Sequence, residues 1–268
     1  MPVEVHGHRG ARGLRPENTL PGFAHAVALG VDAIELDVGL TADNEVVLNH
    51  DQTLSPHNLK DTKPAHPGDP AYPYVGKRIR DLTLPQLRTI NAGAGGIPTL
   101  TETCALLAPT HITLSVELKT DPTWPPHEID LLLGTTVEIL TSAGLTNRTR
   151  LLAFDWRVLT QARDNHPTFG RVALAERKTL TPNTTWLAGQ SPADPVSAAA
   201  EIGATAFSPE HVLTTPPLVE AAHARALPVI VWTVNTPEEM TRFIDYDVDA
   251  IVTDYPDRLI QLQTATPR

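Results

Sequence analysis

Cysteine and long apolar runs are scarce in this sequence of 268 residues. The single cysteine, Cys104, excludes a disulfide within the chain, and its apolar neighbours predict a small buried hydrophobe rather than a catalytic thiol. No run of about eighteen apolar residues exists, so we expect neither a transmembrane helix nor stable membrane insertion. The first residues, Met1–His6, lack the basic and apolar segments of a signal peptide, which favours a cytoplasmic location.

Basic residues are also in deficit. Lys and Arg number 21 against 31 Asp and Glu, for a formal net charge of −10. Such a chain does not favour nucleic acid or an anionic membrane as a partner. An anionic small molecule would have to be attracted by a local positive site, made of a metal ion, an arginine or a lysine. The oligomeric state is not indicated by these features.

Short apolar runs alternate with helical patterns along most of the chain, which is 41% hydrophobic. The predicted strands are centred near Val3, Val31, Ile112, Arg150, Phe169, Thr205, Val229 and Ala250. Strands that alternate with helices indicate parallel pairing, and eight such units predict a (β/α)8 TIM barrel. An open doubly wound sheet is the alternative, but no glycine-rich nucleotide-binding fingerprint supports it. We therefore expect a single barrel domain over residues 1–268.

Residues 52–97 interrupt this alternation. They are rich in Pro, His, Asp and Gly, as in Pro64-Ala-His-Pro-Gly-Asp-Pro70, and little of this stretch is suited to a long helix. An unstructured loop of this length is unusual inside a compact domain. We therefore predict a small inserted subdomain or lid after the second strand.

Ionisable residues are concentrated where the predicted strands end. They are His8, Glu35, Asp37, His50, Glu117 and Lys119. The carboxyl ends of the strands form the working face of a (β/α)8 barrel. Because buried charge is costly unless it is paired or bound to a metal, this recurrence indicates an active site rather than a folding requirement.

Three of these residues form a candidate metal site. Glu35 and Asp37 are two positions apart on one strand, hence on the same face and about 7 Å apart at the Cα atoms. The two carboxylates would repel each other without a cation, and Glu117 at the equivalent level of the next strand completes a set of oxygen ligands. Such ligands suit Mg²⁺ or Ca²⁺ better than Zn²⁺. The alternative is a structural ion pair with Arg9 or Lys119.

The remaining candidates would act on the substrate. His8 and His50 are candidates for general acid and base because histidine titrates near neutral pH, although a strand-end histidine is often only a hydrogen-bonding partner. Arg9 is suited to clamp a phosphate oxygen, with Lys119 as a second positive charge. Trp232 either lines the mouth, where an aromatic ring is suited to face the substrate, or belongs to the core.

Other polar residues receive structural interpretations. Asn18, just before the first predicted helix, is expected to cap that helix, alone or alongside a role in the site. The nine histidines other than His8 and His50, among them His6, are expected at the surface or in the insertion.

The motifs around these candidates resemble those of the glycerophosphodiester phosphodiesterase family. The matching segments are His8-Arg-Gly-Ala11, Pro16-Glu-Asn-Thr19, Gly30–Val38, His50-Asp51, Ile97–Leu100, Val116–Lys119, Phe154-Asp155, Val231–Asn235 and Val248–Pro256. The resemblance spans essentially the whole chain. It implies a (β/α)8 barrel with a small insertion after the second strand. It also implies release of sn-glycerol 3-phosphate and an alcohol from a glycerophosphodiester.

The resemblance also implies roles for individual residues. A divalent metal would lie on Glu35, Asp37 and Glu117. His8 and His50 would be the general acid and base, in an order that the sequence does not decide. Arg9 and Lys119 would engage the phosphate.

One segment departs from the family pattern and leaves the head group of the substrate open. An Arg-Thr-Thr-like stretch often follows the equivalent of His50-Asp51, whereas this chain has Thr53–Asn58. A related phosphodiesterase of the lysophospholipase D or sphingomyelinase D kind is the main alternative, and it should show an exposed apolar rim. A glycosidase is disfavoured because the motifs join carboxylates with histidines. A non-catalytic barrel that binds metal and phosphate is disfavoured because both histidines are present.

Overall fold

A ring of parallel strands surrounded by helices forms the body of the protein, in a computed structural model that describes residues 2–265. In this range the strands are β1 (Glu4–Gly7), β2 (Ala33–Leu40), β3 (Val46–Leu48), β4 (Lys60–Asp61), β5 (Ile90–Asn91), β6 (Thr113–Leu118), β7 (Thr149–Ala153), β8 (Gly170–Ala175), β9 (Ala206–Pro209), β10 (Ile230–Val231) and β11 (Ala250–Thr253). The helices are α1 (Leu20–Leu29), α2 (Leu84–Leu87), α3 (Leu100–Leu107), α4 (Pro126–Ser142), α5 (Trp156–Asn165), α6 (Pro195–Glu201), α7 (Pro216–His223), α8 (Pro237–Asp245) and α9 (Pro256–Ala265).

Eight of the strands form the barrel. Their spatial order is β10, β11, β1, β2, β6, β7, β8 and β9, with parallel pairing throughout. Parallel bridges from Phe207 to Val229 and from Glu210 to Trp232 link β9 to β10 and close the ring. The predicted (β/α)8 barrel is therefore confirmed.

Several strands begin later than their predicted centres. Six of the predicted centres lie one or two residues before their strands, namely Val3, Val31, Ile112, Phe169, Thr205 and Val229. Four of these side chains, Val31, Ile112, Phe169 and Val229, are buried in the main hydrophobic core. The apolar run that indicates each of these four strands thus begins with a buried residue that lies before the first hydrogen bond of the strand. The predicted centre therefore lies too early in the sequence.

The first helix is positioned by its ends, and the cap is not the predicted one. Thr19, not Asn18, is the N-cap of α1, because its hydroxyl accepts a hydrogen bond from the backbone N–H of Gly22 at 3.2 Å. Gly30 ends the helix with a φ of 85°, in the left-handed region that glycine adopts without strain. The side chain of Asn18 instead donates to the carboxylate of Asp37 at 2.8 Å.

The barrel interior changes from polar to apolar along its axis. At the amino end, the guanidinium of Arg150 on β7 donates to Glu4 on β1 at 3.1 Å. His6 is completely buried and its Nε2 lies 2.9 Å from Glu4, so the expectation of a surface position for this histidine is wrong. The alternation along β1 turns both residues inward, His6 into the buried interior and Glu4 toward the amino end, where its side chain is partly exposed. Above them lies an apolar layer of Leu152, Val172, Leu174, Ala206, Ile230, Ala250 and Val252.

The insertion after the second barrel strand has its own packed core. β3 runs antiparallel to β2, and β4 pairs with β5 farther along the chain. A second hydrophobic cluster collects Val47, Leu54, Leu59, Tyr74, Ile79, Leu82, Leu87, Ile90 and Ile97. Asp61 accepts hydrogen bonds from the backbone N–H groups of Tyr74 and Val75 at 2.9 and 3.1 Å. Buried side chains and local hydrogen bonds therefore order a segment with little regular secondary structure. Among the helices of residues 2–265, none combines the length and apolar character needed to cross a membrane.

Candidate active site

Three carboxylates meet at the carboxyl end of the barrel. Asp37 on β2 is the register partner of Glu117 on β6, and Glu35 is two residues earlier on the same face of β2. One oxygen from each of the three carboxylates lies within 4.8 Å of the others. The strand spacing and the parallel register together produce this cluster, as the sequence predicted.

The cluster is buried and carries more negative charge than its surroundings neutralise. Burial raises the pKa of Glu35 well above its usual range, and the charges of Asp37 and Glu117 raise it further. Burial also raises the pKa of Glu117. For Asp37 burial acts in the same direction, but the charges of Lys119 and Arg9 outweigh it and lower the pKa of that carboxyl. A divalent cation among these oxygens would relieve the repulsion.

The donor set also fits such a cation. Asp37 Oδ1 is buried and accepts no hydrogen bond from any residue in the described part of the chain. A set of carboxylates without thiolate or imidazole suits Mg²⁺ or Ca²⁺. Glu35, Asp37 and Glu117 are therefore able to hold a divalent metal.

Arg9 and Lys119 contact these carboxylates directly. The backbone N–H of Arg9 donates to Glu35 at 2.9 Å, and its guanidinium donates to Glu17 at 3.0 Å and lies 3.3 Å from Asp37 Oδ2. Lys119 Nζ donates to Glu117 at 2.6 Å and lies 3.7 Å from Asp37 Oδ1. The ion pairs that the sequence suggested as an alternative therefore coexist with the candidate metal site.

His8 is held in one orientation by a carboxylate on the last strand. Its Nδ1 lies 2.6 Å from Oδ1 of Asp254, and its Nε2 lies 3.9 Å from Glu35. Burial acts to raise the pKa of Asp254, but the hydrogen bond from His8, the charges of His8 and Arg12 and the hydrogen bond from Asn235 together lower it. An ionised carboxylate can only accept, so Nδ1 of His8 is the donor and Nε2 faces the carboxylate cluster. Burial lowers the pKa of His8.

Asp254 and the two residues that contact it, Asn235 and Arg12, are functional candidates that were not predicted from the sequence. Asn235 donates to Asp254 Oδ2 at 2.8 Å, and Arg12 Nε lies 3.2 Å from Oδ1. The predicted barrel could have indicated the contact between Asp254 and His8. In a closed barrel the last strand lies beside the first. Because Thr253 is the register partner of Gly7, the residues that follow them, Asp254 and His8, lie next to each other.

His50 lies between β3 and the insertion. It follows β3, its side chain is 35% exposed, and its Nδ1 lies 2.7 Å from the carboxylate of Asp51. Its charge adds to those of Lys119 and Arg9 in lowering the pKa of Asp37 against the effect of burial. The structure thus places His8, from β1, beside the carboxylates, and His50 follows β3 on the chain that leads into the insertion.

Trp232 follows β10 and packs on the interior of the barrel. Its indole Nε1 donates to the carbonyl of Ser208 at 2.9 Å, and its ring meets that of Phe154 edge to face at 5.5 Å. Both rings rest on the apolar layer inside the barrel. The core-packing alternative for Trp232 therefore holds, and its contact with substrate stays a prediction.

Not every polar residue at a strand end belongs to the site. Asp155 follows β7 but is fully buried, and it caps α5 by accepting from the backbone N–H of Arg157. The guanidinium of Arg157 also donates to it at 2.6 Å. These contacts give Asp155 a structural role at the start of a helix.

The chain is similar to known phosphodiesterases along nearly its whole length. The family model of the glycerophosphoryl diester phosphodiesterase family matches residues 8–258. The glycerophosphodiester phosphodiesterase of Caldanaerobacter subterraneus subsp. tengcongensis is 29% identical over 272 residues, which cover 98% of each chain. A human lysophospholipase D is 32% identical, but over 116 residues that cover 41% of this chain and 35% of that protein.

Solved structures share the barrel. A proposed glycerophosphoryl diester phosphodiesterase of Silicibacter pomeroyi DSS-3 superposes with a TM-score of 0.86 at 29% identity, covering 98% of this chain and 94% of that one. A phosphodiesterase of Oleispira antarctica, solved with its product sn-glycerol-3-phosphate, has a TM-score of 0.78 at 21% identity over 97% and 96% of the two chains. The second likeness shows the fold alone. From the match to residues 8–258, the chain belongs to the glycerophosphoryl diester phosphodiesterase family.

Proposed function

We propose that this chain hydrolyses glycerophosphodiesters to sn-glycerol 3-phosphate and an alcohol, with the help of a divalent metal and two histidines. One observation carries the proposal. A buried cluster of three carboxylates lies 3.9 Å from a histidine that a fourth carboxylate orients, all at the carboxyl end of a (β/α)8 barrel. The family and the names of the full-length relatives support the same reaction.

Glu35, Asp37 and Glu117 would hold the metal, which we propose to be Mg²⁺ or Ca²⁺. When bound there, a divalent cation supplies positive charge that stabilises the phosphate oxygens as charge develops on them. Arg9 and Lys119 would add two further positive charges from the protein, and the planar guanidinium of Arg9 suits two phosphate oxygens at once.

The two histidines would move the protons. A water molecule, or the glycerol 2-hydroxyl of the substrate, attacks phosphorus and gives up a proton, while the bond from phosphorus to the alcohol oxygen breaks and that oxygen takes up a proton. If the 2-hydroxyl attacks, water then opens the cyclic phosphate. Nε2 of His8 is suited to one transfer because Asp254 occupies Nδ1, and His50 would carry out the other. Trp232 would form a wall beside the substrate.

The lysophospholipase D alternative receives little support from the surface. An enzyme that acts on lipid should display a contiguous apolar patch near its site. Within residues 2–265, Val212 is the one large hydrophobic residue whose surface is substantially exposed, at 43%. A water-soluble glycerophosphodiester is therefore the better substrate class, and the similarity to the human lysophospholipase D covers less than half of this chain.

The proposal is tested by release of sn-glycerol 3-phosphate from glycerophosphocholine and glycerophosphoethanolamine in Mg²⁺, in Ca²⁺ and in EDTA. We expect metal-dependent release that is lost in His8→Ala and kept in His127→Ala, a control at an exposed histidine on α4. No turnover with either metal, or equal turnover in EDTA, would contradict the proposal. Turnover of lysophosphatidylcholine alone would favour the lysophospholipase D alternative.

A further inference from the structure

Each carboxylate of the cluster has one oxygen held by a donor of the protein. Glu35 Oε2 accepts the backbone N–H of Arg9 at 2.9 Å, and Glu117 Oε1 accepts Lys119 Nζ at 2.6 Å. For Asp37 the donor is Asn18, whose Nδ2 lies 2.8 Å from Oδ2. In the part of the chain that the structure describes, the other oxygen of each carboxylate accepts no hydrogen bond from the protein.

Asn18 holds Asp37 at two points. Its Nδ2 donates to the carboxylate of Asp37, and its Oδ1 accepts the backbone N–H of the same residue at 3.3 Å. This pair of contacts requires a donor and an acceptor on one planar group, which only a side-chain amide offers at this length. The two partners also decide which way the amide points, since the reverse orientation would place oxygen against carboxylate.

The backbone of Asn18 is shaped for this contact. Its φ is 52°, in the left-handed region that asparagine tolerates better than most residues. Its own N–H donates to the carbonyl of Arg9 at 3.1 Å, and the residue is 4% exposed. Thr19 caps the helix in its place, so the side chain of Asn18 makes none of the capping contacts that the sequence suggested.

We infer that Asn18 is a positioning residue for the metal site, which occupies Oδ2 of Asp37 and so presents Oδ1 to the cation. The inference rests on the proposed function, because it assigns a residue to the same site. The 3.3 Å approach of Arg9 Nε to Oδ2 adds a second occupant on that side, whereas Oδ1 is buried without a hydrogen bond. Groups that orient metal ligands in this way typically change metal affinity by about 10–100-fold when they are removed.

The test is the affinity of the purified chain for Mn²⁺, measured by isothermal titration calorimetry in Asn18→Gly. Glycine accepts the left-handed backbone, so this variant removes the amide without adding strain. Asn183→Gly is the matched control, because Asn183 has a φ of 61° and is exposed. Circular dichroism confirms folding, and Asn18→Ser replaces Asn18→Gly if the glycine variant does not fold.

We expect the Kd for Mn²⁺ to rise about 10–100-fold in Asn18→Gly and to stay unchanged in Asn183→Gly. Turnover of glycerophosphocholine by Asn18→Gly should recover at saturating Mn²⁺, because the role acts through metal affinity. An unchanged Kd in Asn18→Gly, in a chain whose parent binds Mn²⁺ and turns over substrate, would overturn this inference alone. A parent chain that binds no Mn²⁺ would overturn the proposed metal site and this inference together.

Discussion

The substitution Asp254→Asn separates the contribution of His8 orientation to kcat from the contribution of the three clustered carboxylates. Both carboxylate oxygens of Asp254 face donors. Oδ1 lies 2.6 Å from His8 Nδ1 and 3.2 Å from Arg12 Nε, and Oδ2 accepts from Asn235 at 2.8 Å. An asparagine must turn its NH2 group toward one of these sides. If the NH2 group faced His8, it would stabilise the His8 tautomer that carries its proton on Nε2. If the NH2 group faced Asn235, it would place its own N–H against the N–H of the Asn235 amide.

The expected loss follows from the proposed role of His8 as a general acid or base. A positioned general acid or base contributes about 10²–10⁴-fold to rate. At about 1.36 kcal/mol for each tenfold change, losing the correct tautomer corresponds to about 2.7–5.4 kcal/mol of transition-state stabilisation. We expect kcat to fall in this range, while the Kd for Mn²⁺ stays unchanged because none of the three clustered carboxylates is altered.

Steady-state kinetics with glycerophosphocholine, beside calorimetry with Mn²⁺, measures both quantities. Asp249→Asn is a matched control, since Asp249 lies 2.8 Å from Nε2 of His223 at the opposite end of the same strand. If kcat of Asp254→Asn equals that of Asp249→Asn, the orientation of His8 by this carboxylate does not contribute to catalysis and the reasoning is refuted.

Two further predictions concern the stability of the barrel. Leu36→Ala should lower the free energy of unfolding, measured by urea denaturation, by about 2–5 kcal/mol, because Leu36 is fully buried in the main core. Val212→Ala, at an exposed site, should change the free energy of unfolding little. Equal effects of the two substitutions would contradict the packing of Leu36 in the core. Burial lowers the pKa of His6 from its ordinary 6.5, so the unfolded chain binds more protons as pH falls below that value and stability decreases. His6→Gln, which keeps a donor for Glu4, should reduce this loss in denaturation curves recorded above and below pH 6.5, and an unchanged pH dependence would contradict the assignment.

The parts of the site that follow from covalent spacing were predictable. Glu35 and Asp37 must share a strand face because they are two residues apart, and Glu117 follows from the parallel alignment of the next barrel strand. The eight alternating units likewise predicted the fold, and the family match confirms the resemblance on which the enzyme class was based.

The parts that depend on long-range contacts or on competition between neighbours were not predicted. Asp254 lies 246 positions from His8, and only the closed order of the strands brings them together. Asn18 and Thr19 are both good helix caps, and the sequence does not show which of them another partner engages. His6 was assigned to the surface because a single polar residue in a short run does not reveal that a carboxylate and a guanidinium meet its Nε2 inside the barrel.

The roles of the individual site residues, the identity of the metal and the cytoplasmic location stay predictions.

The most direct test of the account is a crystal structure of the chain with Mn²⁺ and sn-glycerol 3-phosphate, recorded for anomalous scattering. We predict one strong Mn²⁺ peak among the free oxygens of Glu35, Asp37 and Glu117, with the phosphate between that ion and the cations of Arg9 and Lys119. A site without an Mn²⁺ peak among these carboxylates, or a phosphate bound elsewhere on the barrel, would contradict it.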